Sequence, residues 1–290
     1  MKIVLGTRGS QLAVQQSEAL VAYLEAAGHS IEWRRFTTHG DKWLAGPLGK
    51  ETGTGFFTRE LEASLLAREV DMLIHSFKDV SLERPEGIAT ACVPEREDSA
   101  DLLLMRPGAP GHPVIGTSSE RRLQFLGAAL PNARFTWIRG NVPTRVQRVR
   151  DGELRGEPLH GTILAAAGVR RLGLDLSGLE VRPFAPSELL PAPAQGALLV
   201  EARAGDEALI EALRGFHHPP TLRLVTLERA VLAGIGGGCQ QPLGALAQAL
   251  PDGAIRLRAG YALAGGLRWA DARGADDAAL VAEVLRGLGL

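Results

Sequence analysis

The sequence predicts an α/β protein made of two hinged lobes, followed by a small C-terminal α+β domain. First, a short apolar strand, a polar turn and a helix recur in this order in two successive units. Second, residues 94–101 and 183–193 are rich in charge or proline and are typical of crossings between units. Third, the remaining residues 221–290 form only a short segment. Two crossings, with the chain returning to the first unit, are the pattern of hinge-bending solute-binding folds.

Composition limits the classes of protein to which the chain can belong. Its 290 residues are enough for two or three domains with sizeable cores. The 45% hydrophobic and 22% charged residues are ordinary for a soluble globular protein, and no apolar stretch is long enough to cross a bilayer. The N-terminus enters a strand pattern without a cleavable signal, so we expect a cytoplasmic protein. The net charge of −1 argues against general nucleic-acid binding, so any basic site must be local.

The first unit begins with a buried strand at residues 2–5, a polar turn with Arg8, and a helix over residues 11–27 with Ser10 as N-cap. Free amides at the start of such a helix favour an anion. A second strand is followed by the aperiodic residues 39–56, which contain several glycines. A loop of that length inside a compact domain is more often functional or mobile than structural, so we interpret it as a lid.

Polar residues follow the third strand of this unit. The strand covers residues 72–75, and Ser76, Lys78 and Asp79 come directly after it. In an open parallel sheet, ligands bind beyond the carboxyl ends of the strands. A Lys–Asp pair at this place is therefore a candidate site, although a solvated surface pair would show the same sequence and is the more common case.

The second unit repeats this arrangement and adds arginines. A strand at residues 114–116 leads to a turn and a helix over residues 120–130, and a further strand leads to the next helix. The turns and helix starts carry Thr117, Ser118, Ser119, Arg121, Arg122, Arg139 and Arg145. Together with Arg8, these arginines predict an inter-domain cleft for a ligand with several carboxylates or phosphates. Arg150 and Arg170 lie on helical stretches, where we expect solvent exposure.

The two cysteines predict neither a disulfide framework nor a zinc site. Cys92 and Cys239 lie far apart, and neither belongs to a C-x-x-C pair. Cys239 follows three glycines, residues 236–238, which let another group approach the thiol closely. This is unusual for a core cysteine, although an ordinary turn could contain the same residues. We expect no metal ion, because the adjacent His217 and His218 diverge on any regular element.

Seven short motifs occur in order across nearly the whole chain. They are Arg8-Gly9-Ser10, His75-Ser76-Phe77-Lys78-Asp79-Val80, Glu95-Arg96-Glu97-Asp98, Gly116-Thr117-Ser118-Ser119 with Arg121-Arg122, Arg139-Gly140-Asn141 with Thr144-Arg145, Gln195-Gly196-Ala197 and Gly237-Gly238-Cys239-Gln240. Together they resemble the porphobilinogen deaminase (hydroxymethylbilane synthase) family. The resemblance implies two periplasmic-binding-protein-like lobes and a third domain. Their implied bounds are residues 1–96 with 194–214, residues 97–193, and residues 215–290.

The resemblance also implies an activity and a covalent cofactor. Members of this family deaminate four porphobilinogen molecules and condense them head to tail into the linear tetrapyrrole hydroxymethylbilane, releasing ammonia, in haem biosynthesis. The product grows on a dipyrromethane cofactor that is made from the substrate and held by a thioether to the cysteine that matches Cys239. A monomer without nucleic-acid or membrane partners is the expected state.

Site residues follow from the same resemblance. Asp79 would be catalytic, because it would hold pyrrole N–H groups, stabilise the cationic azafulvene left by loss of ammonia and assist proton transfer. The cofactor would be bound by Cys239, Lys78, Ser76, Thr117, Ser118, Ser119, Arg121, Arg122, Arg139 and Arg145. The substrate would be bound by Arg8, Ser10, Arg171 and Gln195.

Two other classes stay open on the sequence alone. A two-lobed anion-binding module without catalysis would explain the arginines and the crossings, but not Cys239. A thiol-based redox sensor would explain Cys239 but would leave Asp79 and the arginines without a role, and Cys92 lies in a strand where burial is expected. Release of ammonia from porphobilinogen separates the enzyme from both.

Overall fold

The computed structural model describes residues 1–37, 58–237 and 241–290, apart from the side chain of Ala128. Its α-helices are α1 (Gln11–Ala26), α2 (Arg59–Leu66), α3 (Glu120–Ala129), α4 (Val142–Asp151), α5 (Ala166–Arg171), α6 (Glu207–Ala212), α7 (Pro219–Gly234) and α8 (Asp277–Leu288). Its strands are β1 (Lys2–Arg8), β2 (Ser30–Phe36), β3 (Met72–Ser76), β4 (Ile88–Cys92), β5 (Asp101–Met105), β6 (Val114–Gly116), β7 (Arg134–Thr136), β8 (Glu153–Leu154), β9 (Glu157–Pro158), β10 (Gly161–Ala165), β11 (Glu180–Pro183), β12 (Leu198–Arg203), β13 (Leu243–Ala249), β14 (Ile255–Leu263) and β15 (Gly266–Gly274). Short 3-10 turns cover Phe77–Asp79 and Arg214–Phe216. Within the described ranges, none of the helices combines the length and the apolar character that a membrane span requires.

The first sheet contains five strands in the order β2-β1-β3-β12-β4. β1 pairs in parallel with β2 and β3, whereas β12 comes from much later in the chain and runs antiparallel between β3 and β4. Leu5, Leu24 and Met72 belong to the apolar core that joins this sheet to α1. α1 begins where Ser10 Oγ accepts a hydrogen bond from the Ala13 amide at 3.3 Å, as predicted for an N-cap. The polar turn between β1 and α1 therefore lies at the carboxyl edge of the sheet.

The second sheet has the order β11-β5-β10-β6-β7 and repeats this plan. β10 pairs in parallel with β6 and antiparallel with β5, and β6 pairs in parallel with β7. Asn141 caps α4 by accepting a hydrogen bond from the Thr144 amide at 2.9 Å, and Gly152 ends the helix in the left-handed conformation. Arg8 and Asp101 lie in strands β1 and β5, not in the turn and the crossing to which the sequence analysis assigns them. Asp101 is the first residue of β5, and its carboxylate is bound inside the second lobe.

The third sheet is antiparallel, with the order β13-β14-β15, and α7 and α8 pack on it. Leu227 of α7, Leu257 of β14 and Val284 of α8 share one core, so the small α+β domain predicted for the end of the chain is present. His217 and His218 each accept a hydrogen bond from a backbone amide through Nδ1. Their role in the described structure is to fix the start of α7 and its contact with the first lobe.

A buried carboxylate links this C-terminal domain to both crossings. Glu228 of α7 is fully buried, and its two oxygens accept hydrogen bonds from Arg96 Nη1 and Nη2 at 2.7 and 3.0 Å. The same oxygens accept hydrogen bonds from the amides of Ala194, at 2.7 Å, and Ala247, at 3.0 Å. Arg96 belongs to the first crossing, and Ala194 directly follows the second. The third domain is therefore attached where the two lobes join.

The predicted fold class is confirmed: two α/β lobes with two crossings and a small C-terminal α+β domain. The domain boundaries stay a prediction. The proposed lid at residues 39–56 and the cysteine Cys239 lie outside the described residues.

Candidate active site

A cavity of about 860 Å³ lies between the first and second sheets. One wall comes from the ends of β1 and β3 and the start of α1, and the other comes from β10, α4 and α5. Eight basic residues line the described part of the wall: Arg8, Lys78, Arg122, Arg139, Arg145, Arg148, Arg155 and Arg171. Among the described lining residues, Asp79 alone carries a carboxylate. This excess of positive charge agrees with the cleft for a polyanion that the sequence predicts.

The 3-10 turn after β3 carries Lys78 and Asp79 and is held from behind. The Phe77 amide donates a hydrogen bond to the Ala197 carbonyl oxygen at 3.0 Å. From α7, the Arg229 guanidinium stacks on the Phe77 ring, 4.7 Å from its centroid, and Nη1 donates to the Phe77 carbonyl oxygen at 3.2 Å. Because Ala197 and the C-terminal domain fix its backbone, the turn presents its two charged side chains to the cavity.

Lys78 and Asp79 do not form a solvated surface pair. Both are half-buried in the cavity wall, and Lys78 Nζ donates a hydrogen bond to Gln195 Oε1 at 3.4 Å. Burial lowers the pKa of Lys78, and the neighbouring Asp79 opposes part of that shift. The pair therefore belongs to the site that the end of the third strand predicts.

Arg121 and Arg122, at the start of α3, share one buried carboxylate. Arg121 Nη2 lies 2.8 Å from Asp101 Oδ2, and Arg122 Nη2 lies 2.6 Å from Asp101 Oδ1. Burial alone would raise the pKa of Asp101, but the two guanidinium groups outweigh it and hold that pKa well below its usual range. Arg122 lines the cavity, whereas Arg121 is not among the lining residues and donates to the Leu190 carbonyl oxygen. The predicted contact of Arg121 with the cofactor therefore stays a prediction without a supporting contact.

The three hydroxyl residues before α3 bond to the protein itself. Thr117 Oγ1 accepts a hydrogen bond from the Ser119 amide at 3.2 Å, and Ser118 Oγ donates to the Ile138 carbonyl oxygen at 2.7 Å. Ser119 Oγ accepts from the Arg122 amide at 3.4 Å and caps α3. None of the three belongs to the described cavity lining. They fix the turn from which Arg122 extends, and their direct contacts with the cofactor stay predictions.

Arg145, in the first turn of α4, faces the cavity. Its Nε donates a hydrogen bond to the Gly140 carbonyl oxygen at 2.9 Å. Burial lowers the pKa of Arg145 to about 10, and the positive charges of Arg122 and Arg139 act in the same direction. Within the described ranges, no carboxylate forms an ion pair with Arg145. An anion in the cavity would offset the free-energy cost of burying this charge.

Four further predicted residues, Arg8, Ser10, Ser76 and Arg171, line the same cavity. Arg171 is half-buried at the end of α5, and its Nη2 donates a hydrogen bond to the Gly196 carbonyl oxygen at 2.7 Å. Burial lowers the pKa of Arg171. The structure thus brings residues from both lobes to one cleft.

Gln195 lies behind Lys78 and is not among the described lining residues of the cavity. It is buried, and both ends of its side-chain amide bond to the protein. Its Oε1 accepts from Lys78, while its Nε2 donates to the Ser99 carbonyl oxygen at 2.8 Å and to Asp101 Oδ1 at 3.1 Å. Gln195 therefore connects Lys78 to the Asp101 carboxylate, and its contact with substrate stays a prediction.

Among the arginines and tryptophans of the described lining, sequence reasoning missed Arg148, Trp137 and Arg155. Arg148 lies three residues after Arg145 on α4, so helical spacing could have identified it. Arg155 occupies the turn between β8 and β9, and its Cζ lies 3.4 Å from the centroid of the Trp137 ring. No local pattern indicates that this hairpin packs against the cleft.

The residues of this cleft fit a dipyrromethane, whose rings carry acetate and propionate side chains. Guanidinium and ammonium groups form charge-assisted hydrogen bonds to carboxylates, and several of these groups are half-buried. Leu12, Leu164 and Trp137 add apolar surface for the rings. In the part of the chain that the structure covers, no cluster of His, Cys, Asp and Glu could hold a metal ion.

Comparison with known proteins supports this assignment at the level of the family. Residues 3–211 match the family model "Porphobilinogen deaminase, dipyromethane cofactor binding domain", and residues 222–282 match "Porphobilinogen deaminase, C-terminal domain". A porphobilinogen deaminase of Rubrobacter xylanophilus is 42% identical over 276 residues, covering 91% of this chain and 88% of the relative. A porphobilinogen deaminase of Thermus thermophilus is 40% identical, covering 88% of this chain and 83% of the relative. The chain therefore belongs to the porphobilinogen deaminase family.

Proposed function

We propose that the chain is a hydroxymethylbilane synthase, which deaminates four porphobilinogen molecules and condenses them head to tail with release of ammonia. The observation that carries the proposal is the composition of the cleft, in which eight basic residues surround a single described carboxylate, Asp79. A substrate and product that carry many carboxylates need the basic residues, and a reaction that develops positive charge needs the carboxylate. Neither requirement arises in a thiol-based redox sensor.

The cofactor of the proposed enzyme is a dipyrromethane joined to Cys239 by a thioether. When bound, this group supplies the terminal pyrrole carbon on which the product is extended. Lys78, Ser76, Arg122, Arg139 and Arg145 are the cavity-lining residues proposed to bind its carboxylates. For Arg121, Thr117, Ser118 and Ser119 the observed hydrogen bonds favour an indirect role, because these residues fix the start of α3 behind Arg122.

Asp79 is proposed as the catalytic residue. Its carboxylate accepts hydrogen bonds from pyrrole N–H groups and stabilises the positive charge that develops on the substrate's aminomethyl carbon as ammonia leaves. It also accepts the proton that is lost when the new carbon–carbon bond forms. The contacts of Phe77 with Ala197 and Arg229 support this role, because they hold the Asp79 turn in place before substrate arrives.

Substrate carboxylates are proposed to bind Arg8, Ser10 and Arg171, which line the same cavity as Asp79. Arg171 and Ser10 are anchored by their own hydrogen bonds to the chain, which reduces the conformational entropy lost on binding. Gln195 contributes by positioning Lys78. We further propose a monomeric cytoplasmic enzyme that binds neither nucleic acid nor membrane. The near-neutral net charge supports only the part of this proposal that concerns nucleic acid.

The test is incubation of the purified protein with porphobilinogen, with ammonia and linear tetrapyrrole as readouts. The wild type is expected to release ammonia, and Asp79→Asn is expected to lower the rate roughly 10²- to 10⁴-fold. Asp175→Asn, which neutralises an exposed carboxylate outside the cleft, is the matched control and is expected to keep the wild-type rate. Absence of ammonia from the wild type would contradict the proposal and favour an anion-binding module without catalysis.

A further inference from the structure

The β8–β9 hairpin places an arginine where a turn normally carries asparagine or glycine. β8 and β9 pair antiparallel, and the two residues between them, Arg155 and Gly156, have φ angles of 57° and 80°. Two-residue turns with positive φ at both positions favour Asn-Gly or Gly-Gly, because a larger side chain is strained there. The arginine is therefore retained at a cost in backbone free energy, and such strain is often found at functional positions.

The Arg155 guanidinium is fixed on the face of an indole ring. Its Cζ lies 3.4 Å from the centroid of Trp137, and Nη2 donates hydrogen bonds to the Trp137 carbonyl oxygen at 2.9 Å and to Thr136 Oγ1 at 3.2 Å. Nε and Nη1 form no hydrogen bond with the described part of the chain. The guanidinium is thus held in one orientation and keeps one edge for another acceptor.

The carboxylates of the hairpin do not neutralise this guanidinium. Glu153 accepts a hydrogen bond from the Gly156 amide, and Glu157 pairs with Arg134 at 3.5 Å. Beneath the turn, Leu154 is buried in an apolar cluster with Ile138, Val149 and Leu159, which anchors the hairpin to the second lobe. Arg155 is thus a cation whose position is fixed by the packed hairpin and by the Trp137 ring.

Arg155 shares one cavity with the basic residues Lys78, Arg139 and Arg145. Those three side chains are half-buried in the cavity wall, as is Asp79. Trp137 and Arg155 also line the cavity but are exposed, and Trp137 precedes Arg139 by two residues. The basic lining therefore extends from the half-buried part of the cleft to an exposed rim at the hairpin.

We propose that Arg155, supported by Trp137, binds a side-chain carboxylate of the growing polypyrrole. This contact forms once the polypyrrole has more carboxylates than the half-buried basic residues of the cleft can bind. The inference rests on the proposed function and adds a subsite for the late condensation steps. Early steps need only the inner basic residues. Late steps need the rim as well, since each added ring brings two more carboxylates into the cleft.

The test follows the covalent species by intact mass under denaturing conditions, after limited porphobilinogen is added to the protein carrying its cofactor. Arg155→Asn removes the guanidinium while keeping a residue that tolerates the turn. In this variant the last additions are expected to be slowed roughly tenfold, while the rate of the first addition is unchanged. The covalent species that precede the last additions should therefore accumulate. Arg134→Asn is the matched control, because it removes the same charge from an exposed residue of β7 that pairs with Glu157 outside the cavity lining. It is expected to give the wild-type distribution.

Two results would overturn the subsite. One is an Arg155→Asn distribution identical to that of the wild type, and the other is equal slowing of every addition, which would assign Arg155 to substrate capture. Trp137→Leu provides a second variant, in which the guanidinium remains but its support is removed, and it is expected to shift the distribution in the same direction. A wild type that gains no mass from porphobilinogen would overturn the proposed function itself, so the two failures are distinguishable.

Discussion

Two pairs of arginines in the second lobe arise from the same local pattern and differ in whether a buried carboxylate neutralises them. Arg121 and Arg122 begin α3 after β6, and Arg145 and Arg148 lie on α4 after β7. The first pair binds the buried Asp101 carboxylate at 2.8 and 2.6 Å. In the described ranges no carboxylate pairs with Arg145, and its pKa falls to about 10 through burial. The difference is due to Asp101 of β5, whose carboxylate forms ion pairs with the arginines of α3 but not with Arg145 of α4.

This contrast separates arginines that stabilise the fold from arginines that are available to a ligand. A buried ion pair with its hydrogen bonds made is strongly coupled, and removing one partner leaves the other charge buried without compensation. A half-buried arginine without a counter-charge lowers stability slightly until an anion binds. Arg122 belongs to both groups, because it pairs with Asp101 and also lines the cavity. Arg122 therefore connects the buried Asp101 ion pairs to the lining of the cavity.

The largest expected effect is on stability, from Asp101→Asn. Two buried guanidinium groups would lose their shared counter-charge, and the free energy of unfolding is expected to fall by about 3–5 kcal/mol. Urea unfolding measures this change. Asp271→Asn is the control, because it breaks an exposed pair with Arg256 and is expected to cost much less. Equal losses in the two variants would show that the Asp101 cluster is not the structural element inferred here.

Arg145→Ala is expected to show the reverse profile. Loss of a charge-assisted contact should weaken binding of a polycarboxylate roughly 10- to 100-fold, while the free energy of unfolding stays near the wild-type value. Citrate titration followed by thermal unfolding gives both quantities, because a ligand that binds only the native state raises Tm. Arg256→Ala, which removes a surface arginine on the third sheet, is the control. A large fall in the free energy of unfolding of Arg145→Ala would contradict the distinction between arginines that stabilise the fold and arginines that are available to a ligand.

A smaller effect is expected in the pH dependence of stability. The pKa of Asp101 is lower in the folded protein than in the unfolded chain, so the unfolded chain takes up this proton first. The stabilisation is complete above about pH 4 and is lost as the pH falls below that value. The difference in unfolding free energy between wild type and Asp101→Asn should therefore shrink on acidification from pH 6 to pH 3. A difference that stays constant over this range would contradict the charge pairing.

The smallest expected effect is the low reactivity of the Cys92 thiol. Like Arg121, Cys92 is buried and is not among the described lining residues of the cavity. Burial raises the pKa of Cys92 to about 12, so almost none of it is thiolate at pH 8. Iodoacetamide is expected to leave Cys92 unmodified in the folded protein and to label it in guanidinium chloride, as read by peptide mass mapping. Rapid labelling of folded protein would revive the redox-sensor interpretation.

Local patterns were sufficient for much of the fold and part of the cleft. Strand–turn–helix order identified both lobes, and the carboxyl end of β3 identified Lys78 and Asp79, because these features depend on neighbours in the sequence. The pairing of Arg121 with Asp101 could not be predicted, since it joins a helix residue to a strand residue that is distant in the sequence, and the sequence analysis assigns Asp101 to a crossing. Arg155 was missed for the same reason, because its contact with Trp137 depends on how a hairpin packs in three dimensions.

The central claim is that this arginine-lined cleft serves a covalent cofactor made of two pyrrole rings and attached to Cys239. The most direct test is the intact mass of the purified protein under denaturing conditions, compared with Cys239→Ser and, as the control, Cys92→Ser. The wild type and Cys92→Ser are expected to exceed their sequence masses by two linked pyrrole units, and Cys239→Ser is expected not to. A wild type that carries no addition, even after incubation with porphobilinogen, would contradict the account.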